Sequence, residues 1–184
     1  YDVFNLCLSC KACARECPSN VDVAALKAEF LYQYYKENKI PFRTKLFANN
    51  VKYNKLGSLA PTLTNLILNT KLTKKFMGIA TERSIPKLAK TTVFKWHQKN
   101  KNRLARQPNK YGEIYLFVDE FTNYYDANIG IDTIELLTKL GYKVYITKHG
   151  ESGRGFISKG FLDEAKEKAN FNVNFFKDLI TKET

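Results

Sequence analysis

The chain has 184 residues, 44% of them hydrophobic, with a formal net charge of +12. That is enough for one ordinary domain or for two small units in series. No window reaches the roughly 18 uninterrupted apolar residues of a spanning helix: the best, from Leu59 to Leu72, is broken by Pro61, Thr62, Thr64, Asn65, Asn69 and Lys71. No signal-peptide pattern opens the chain, so the sequence reads as soluble.

The chain opens on Tyr1 rather than Met and meets its first cysteine at position 7. It therefore reads as part of a longer polypeptide. Its four cysteines all lie between positions 7 and 17. A disulfide framework would spread cysteines to staple distant loops, whereas this cluster points to a metal or redox centre in a reducing compartment. The spacing is Cys7-x2-Cys10-x2-Cys13-x3-Cys17-Pro18. Three thiolates at two-residue gaps wrap the chain around one face of a [4Fe–4S] cubane. The fourth, ahead of proline, ligates the other cluster in two-cluster ferredoxins. Cys7, Cys10 and Cys13 are thus expected on one cluster and Cys17 on a second, with the remaining ligands supplied from elsewhere. A structural zinc site in a non-enzymatic docking module is the alternative. Zinc sites usually pair two Cys-x2-Cys knuckles across a longer loop, which this run does not do. Lys11 and Arg15 lie inside the motif, either tuning the cluster's potential or serving as solvated surface bases.

After Pro18 an amphipathic helix is predicted over 22–38. Its stripe is Val23, Leu26, Phe30 and Tyr34, widened by Leu31 and Tyr35. Ser19, Asn20 or Asp22 would cap it and Pro41 would end it. The stretch from Pro41 to Asn109 is helical by pattern but broken by Gly57, Pro61, Gly78 and Pro86. Helices are expected over 43–56, 62–69, 71–77 and 85–100. Beyond the linker Gln107-Pro108-Asn109 the character changes. Ile114 to Val118 reads as a buried strand. Asn123-Tyr124-Tyr125-Asp126 reads as a capped turn and 128–140 as a helix stopped by Gly141. Tyr142 to Thr147 is a second strand, 149–155 a glycine-rich loop, and 158–182 a long closing helix. Its stripe is Leu162, Ala165, Ala169, Val173, Phe176 and Ile180. Strand–helix–strand–helix at this spacing implies parallel strands.

The expected fold class is α+β. Residues 1–40 form an all-α, ferredoxin-like half of a two-cluster module. Residues 41–110 form a basic helical linker, and 111–184 form an α/β half-domain (βαβα) with parallel strands.

The run from Cys7 to Asp22 resembles the second cluster motif in the iron–sulfur region of large FAD-linked oxidases, of the D-lactate dehydrogenase and glycolate oxidase kind. That region is itself similar to the iron–sulfur subunit of anaerobic glycerol-3-phosphate dehydrogenase. Leu56-Gly57-Ser58-Leu59-Ala60-Pro61 and Glu82-Arg83-Ser84-Ile85-Pro86-Lys87 are similar to that family's linker. The segment from Tyr115 to Val144 resembles the first half of its cysteine-rich CCG domain. The resemblance implies two [4Fe–4S] clusters in the full-length protein and FAD on another domain of the same or a partner chain. It also implies electrons from 2-hydroxy acid oxidation, lactate or glycolate in type, passing to a carrier or quinone. No Gly-x-Gly-x-x-Gly flavin motif and no nucleophile–base pair occurs here, so the segment itself is not expected to be catalytic.

The chain departs from the family where thiolates are usual. The loops after the two strands read Asp119-Glu120 and Glu151-Ser152-Gly153. Such loops lie at the carboxyl ends of the strands, where ligands bind in open α/β sheets. Asp119, Glu120, His149, Glu151, Ser152 and Arg154 are therefore candidate site residues. Carboxylates beside a histidine suit a hard or borderline metal, and Arg154 suits a carboxylate or an acidic partner. The bland reading is a degenerate loop with a structural role.

The charge is uneven. Residues 36–110 hold 18 Lys/Arg against Glu37 and Glu82, while the rest of the chain has 12 bases and 16 acids. Nucleic acid is disfavoured because Tyr53, Phe76, Phe94 and Trp96 fall on apolar helix faces and are expected in the core. A docking face for an acidic electron carrier, or for a membrane surface beside a quinone enzyme, fits the redox motif better. The expected location is the cytoplasm, with peripheral association at the inner face of the membrane as a variant.

Overall fold

The computed structural model describes residues 1–180. Most of the chain is helical. In chain order the helices are α1 (Asp2–Asn5), α2 (Ala12–Glu16), α3 (Val23–Glu37), α4 (Phe42–Ala48), α5 (Asn50–Gly57), α6 (Pro61–Leu68), α7 (Lys71–Phe76) and α8 (Val93–Leu104). Then come β1 (Glu113–Leu116), α9 (Glu120–Tyr124), α10 (Ala127–Lys139), β2 (Lys143–Ile146), α11 (Arg154–Ser158) and α12 (Leu162–Phe176). The α+β class expected from sequence holds at this level, as a helical chain with one small parallel sheet.

Two compact units emerge, and they do not follow the chain in simple succession. One joins Tyr1–Asn50 to Ser152–Phe171. The other joins Val51–Glu151 to the chain from Asn172 onward.

In the first unit α3 begins where Asp22 accepts a hydrogen bond from the Ala25 amide at 3.0 Å, an N-cap that satisfies one orphan donor of the first turn. The buried face of α3 is Ala24, Ala28 and Leu31. The predicted stripe is rotated from this: Leu26 is exposed, while Phe30 and Tyr34 stack in an aromatic row with Phe4 and Tyr1. The alanine face exists because backbone approaches closely there. A Cβ on Gly160 would lie 2.5 Å from the Leu31 Cβ, and Gly160 has φ +76°. Past the same glycine the closing helix, predicted over 158–182, runs as α12 from Leu162 to Phe176, while α11 forms partly within the predicted glycine-rich loop 149–155. Residues 181 and 182 of that expectation lie outside the described residues. Ala48, Phe156 and Ala165 form this unit's core, with Phe161 packed against it.

In the second unit β1 and β2 pair in parallel, Glu113 opposite Lys143 through Leu116 opposite Ile146. Helix α10 makes the crossover, as expected, and Gly141 ends it at φ +99°. The first two residues of the predicted turn at 123–126 belong to a short helix, α9, capped by Asp119. The core is Val93, Val118, Ala127 and Ile134, with Phe94, Trp96, Leu116, Val144 and Ile146 around it. Helix α8, from the basic stretch, thus supplies Val93 to the same core as the strands. It starts at Val93, not near 85, because Thr92 caps it. The backbone upstream is held otherwise: the Asn65 carboxamide bonds both the amide and the carbonyl of Leu88, at 2.8 and 2.9 Å. The helix predicted over 43–56 is two helices, α4 and α5, parted at Asn49. Of the four aromatics assigned to packed faces, Phe94 and Trp96 pack against the core. Tyr53 and Phe76 are exposed.

Candidate metal centre

The cysteines occupy the loop between α1 and α3. Cys7 follows α1, Cys10 lies in the loop, Cys13 is on α2, and Cys17 ends that helix in extended backbone. Cys10 is exposed and the other three are half-buried. Three residues without the freedom of glycine take left-handed backbone here: Ser9 (φ 54°), Lys11 (φ 62°) and Asn20 (φ 53°). Such conformations are uncommon for non-glycine residues. They turn the chain sharply, and with it the amides.

One of those amides meets sulfur, and another, Asn20 N–H, donates to the Cys17 carbonyl at 2.9 Å. Ser9 N–H donates to Cys7 Sγ at 3.4 Å. At Cys17, the backbone of Val21 and then of Ser19 near the sulfur holds the thiol below its usual pKa despite an opposing desolvation effect. Amide donors favour thiolate over thiol, and thiolate is the metal-binding form. The Cys7 carbonyl accepts from Lys27 Nζ at 2.6 Å, which ties the loop to α3. Lys11 pairs with Asp22 at 3.6 Å. Asp22 is held below the usual carboxylate range chiefly by the Ala25 amide, with help from Lys11 against desolvation. Lys11 is thus engaged with the helix cap. Sequence reasoning missed Lys27, since nothing in its spacing announces a partner twenty residues upstream.

In donor chemistry the loop fits an iron–sulfur group: four thiols, Cys7 receiving an amide hydrogen bond and Cys17 with a lowered pKa, with no competing cysteine elsewhere in the chain. The side chains are not gathered to a point. Among the described residues, no group of three or more His, Cys, Asp or Glu side chains is arranged to hold a metal.

The second set of candidate residues is placed as follows. Asp119 caps α9, accepting from the Thr122 amide at 2.8 Å. Glu120 is buried in the first turn of α9. His149 Nε2 accepts from the Val118 amide at 3.1 Å, and Nδ1 lies 2.7 Å from the Gly150 carbonyl. A ring nitrogen that accepts from an amide carries no proton, so Nδ1–H is the donor to Gly150. The ring stacks on Phe117, centroids 3.9 Å apart. Glu151 and its neighbour Gly150 are clasped by Asn172, which accepts from the Gly150 amide and donates to the Glu151 carbonyl. The phenol of Tyr124 is pushed up by burial and then by the Glu151 charge. Ser152 and Arg154 belong to the other compact unit. There the Ser152 hydroxyl accepts from both the amide and Nε of Arg154 at 3.3 Å. A hollow of about 380 Å³ in the second unit is lined by Glu113, Ile114, Tyr115, Phe117, Phe176 and Ile180. It lies along β1.

The sequence is similar to D-2-hydroxyglutarate dehydrogenases. Identity to the protein of Escherichia coli (strain K12) is 29%, over 94% of this chain and 18% of that protein. For that of Pantoea ananatis (strain AJ13355) it is 28%, over 92% and 17%. For that of Pseudomonas putida KT2440 it is 24%, over 97% and 19%. The chain therefore spans under a fifth of the length of these curated relatives. No protein-family pattern matches it, and no solved structure does. The acid in the relatives' name is a 2-hydroxy acid, the substrate class that the sequence resemblance implied. It is not lactate or glycolate.

Proposed function

We propose that this chain is an electron-transfer segment of a 2-hydroxy acid dehydrogenase. Cys7, Cys10 and Cys13 hold one [4Fe–4S] cluster and Cys17 contributes to a second. The observation that carries this is the Cys-x2-Cys-x2-Cys-x3-Cys-Pro run together with the Ser9 amide that donates to Cys7 Sγ. Similarity to D-2-hydroxyglutarate dehydrogenases along nearly the whole chain supports the reaction class. Oxidation of the acid would take place at FAD on another domain, with the electrons passed on to a carrier or quinone. A bound iron–sulfur cluster supplies one-electron transfer at a potential set by its charge, hydrogen bonds and exposure.

The chain's own residues have narrower tasks. Ser9 directs its amide at the Cys7 sulfur, Asn20 ties its amide to the Cys17 carbonyl, and the backbone of Val21 and Ser19 holds the Cys17 thiol below its usual pKa. Lys27 anchors the Cys7 carbonyl. Asp22 secures the start of α3 immediately after the last cysteine. The row Tyr1, Phe4, Phe30 and Tyr34 supports the helix beside the loop.

The split of ligands is tested by Cys10→Ala and Cys17→Ala in the intact protein purified without oxygen. Each variant is expected to lose iron from a different cluster, visible as distinct changes in the reduced EPR spectrum. Identical spectra from two folded variants would contradict the assignment. Stoichiometric zinc in place of iron would favour a structural docking module.

A further inference from the structure

Helices α6 and α7 are inside out. On α6 the polar residues are the ones tied down. Thr64 Oγ1 donates to the Gly57 carbonyl at 3.0 Å, and the Asn65 carboxamide holds both backbone groups of Leu88. Asn69, just past the helix, accepts from the Ile85 amide. The apolar residues Leu63, Leu66 and Ile67 face out instead, Leu66 at 70% exposure. On α7, Lys74 is only 8% exposed, its ammonium donating to the Thr81 carbonyl at 3.2 Å. Leu72 and Phe76 are 80% and 75% exposed. Leu56 and Leu59, just before α6, are exposed as well.

An exposed leucine is ordinary, but seven large apolar side chains outward between residues 56 and 76 make a patch that calls for a partner. Hydrogen bonds pin the polar side inward, so the face cannot be hidden by rolling a helix over without leaving buried polar groups unpaired.

The charge around it identifies the partner. Besides the inward Lys74, residues 51–81 contain four lysines, all exposed, with no arginine and no acidic residue. Protein interfaces are enriched in arginine and depleted in lysine. Helices that lie in a bilayer interface carry leucine and phenylalanine on one side and flexible lysines beside them, whose stems lie along the apolar surface while the ammonium reaches the headgroups. Each lysine near an anionic leaflet adds attraction.

We infer that the outer face of α6 and α7, with Leu56 and Leu59, seats on the surface of a membrane containing anionic lipid. The helices lie along the surface; among the described residues no helix is long and apolar enough to cross it. This surface is independent of the cysteine loop and stands whether or not that loop holds a cluster.

The test uses the intact protein and vesicles of phosphatidylcholine, with or without phosphatidylglycerol, read by flotation and by hydrogen–deuterium exchange. Binding is expected only to the anionic vesicles, falling as salt is raised. Exchange across 56–76 should slow when they are added. Leu66→Glu with Leu72→Glu should weaken binding by about tenfold or more. Both side chains face solvent, so the melting temperature should not move. Absence of binding to either vesicle, or equal binding to both, would overturn the inference. So would a segment 56–76 already protected without vesicles and unchanged by them, which would assign the face to a protein partner.

Discussion

The cysteine loop and the loops that follow β1 and β2 use ligand-type side chains in opposite senses. In the first, the backbone serves sulfur: the Ser9 amide donates to Cys7 Sγ, and the backbone of Val21 and Ser19 holds the Cys17 thiol below its usual pKa. In the second, side chains serve the backbone. Asp119 caps α9, and His149 spends both ring nitrogens on the Val118 amide and the Gly150 carbonyl. The same residue types thus mean different things according to which partner supplies the hydrogen. A sulfur that accepts amides retains lone pairs for a metal and is biased toward thiolate. An imidazole bridging two backbone groups is a rivet.

This comparison can be broken in several places. The largest effect is expected at His149. His149→Ala leaves the buried Val118 amide unpaired and removes the stack on Phe117, so stability should drop by about 2 kcal/mol in a denaturant titration. Iron content should be unaffected. Loss of metal at unchanged stability would make His149 a ligand after all. Next is Asp119→Ala, which removes an N-cap and should cost about 1 kcal/mol, with Asp119→Asn restoring most of it. Full loss in both variants would point to the charge rather than the cap.

A smaller effect is expected at Asp22 on the cysteine side. Its carboxyl sits below the usual range when folded, so its contribution is present above the unfolded carboxylate pKa. It is lost as pH falls through the folded value. Melting temperature against pH should therefore fall less steeply at the acid end in Asp22→Asn than in the parent. Parallel curves would remove Asp22 from the account. The smallest effect is at Cys17. In metal-free protein near neutral pH, its lowered thiol pKa should make it alkylate faster than Cys10. A slower Cys17 would mean that its amides do not favour thiolate.

Much of this arrangement can be read from sequence wherever the signal is local. The cap at Asp22, the stop at Gly141 and the strand runs 114–118 and 142–147 each depend on a few adjacent residues, and each appears close to its predicted place. The cysteine spacing is local too. What escapes the sequence is set by distant chain. The buried face of α3 is alanine because Gly160 brings backbone against Leu31, and that glycine lies far along the sequence. Helices α6 and α7 are too short for a helical period to declare which side is inward. Their polar side is chosen by carboxamide bonds to Leu88 and by the Lys74 bond to Thr81. The left-handed backbone at Ser9 and Lys11 has no sequence signature either, whereas Asn20 is of a type that adopts it more readily.

The central claim is that the four cysteines hold iron and sulfide for electron transfer, and it is tested most directly by analysis of the intact protein purified without oxygen. Iron and acid-labile sulfide should be found at about eight each per chain, with two interacting reduced clusters in the EPR spectrum after dithionite. Zinc in their place, or no metal under the same conditions, would contradict the account.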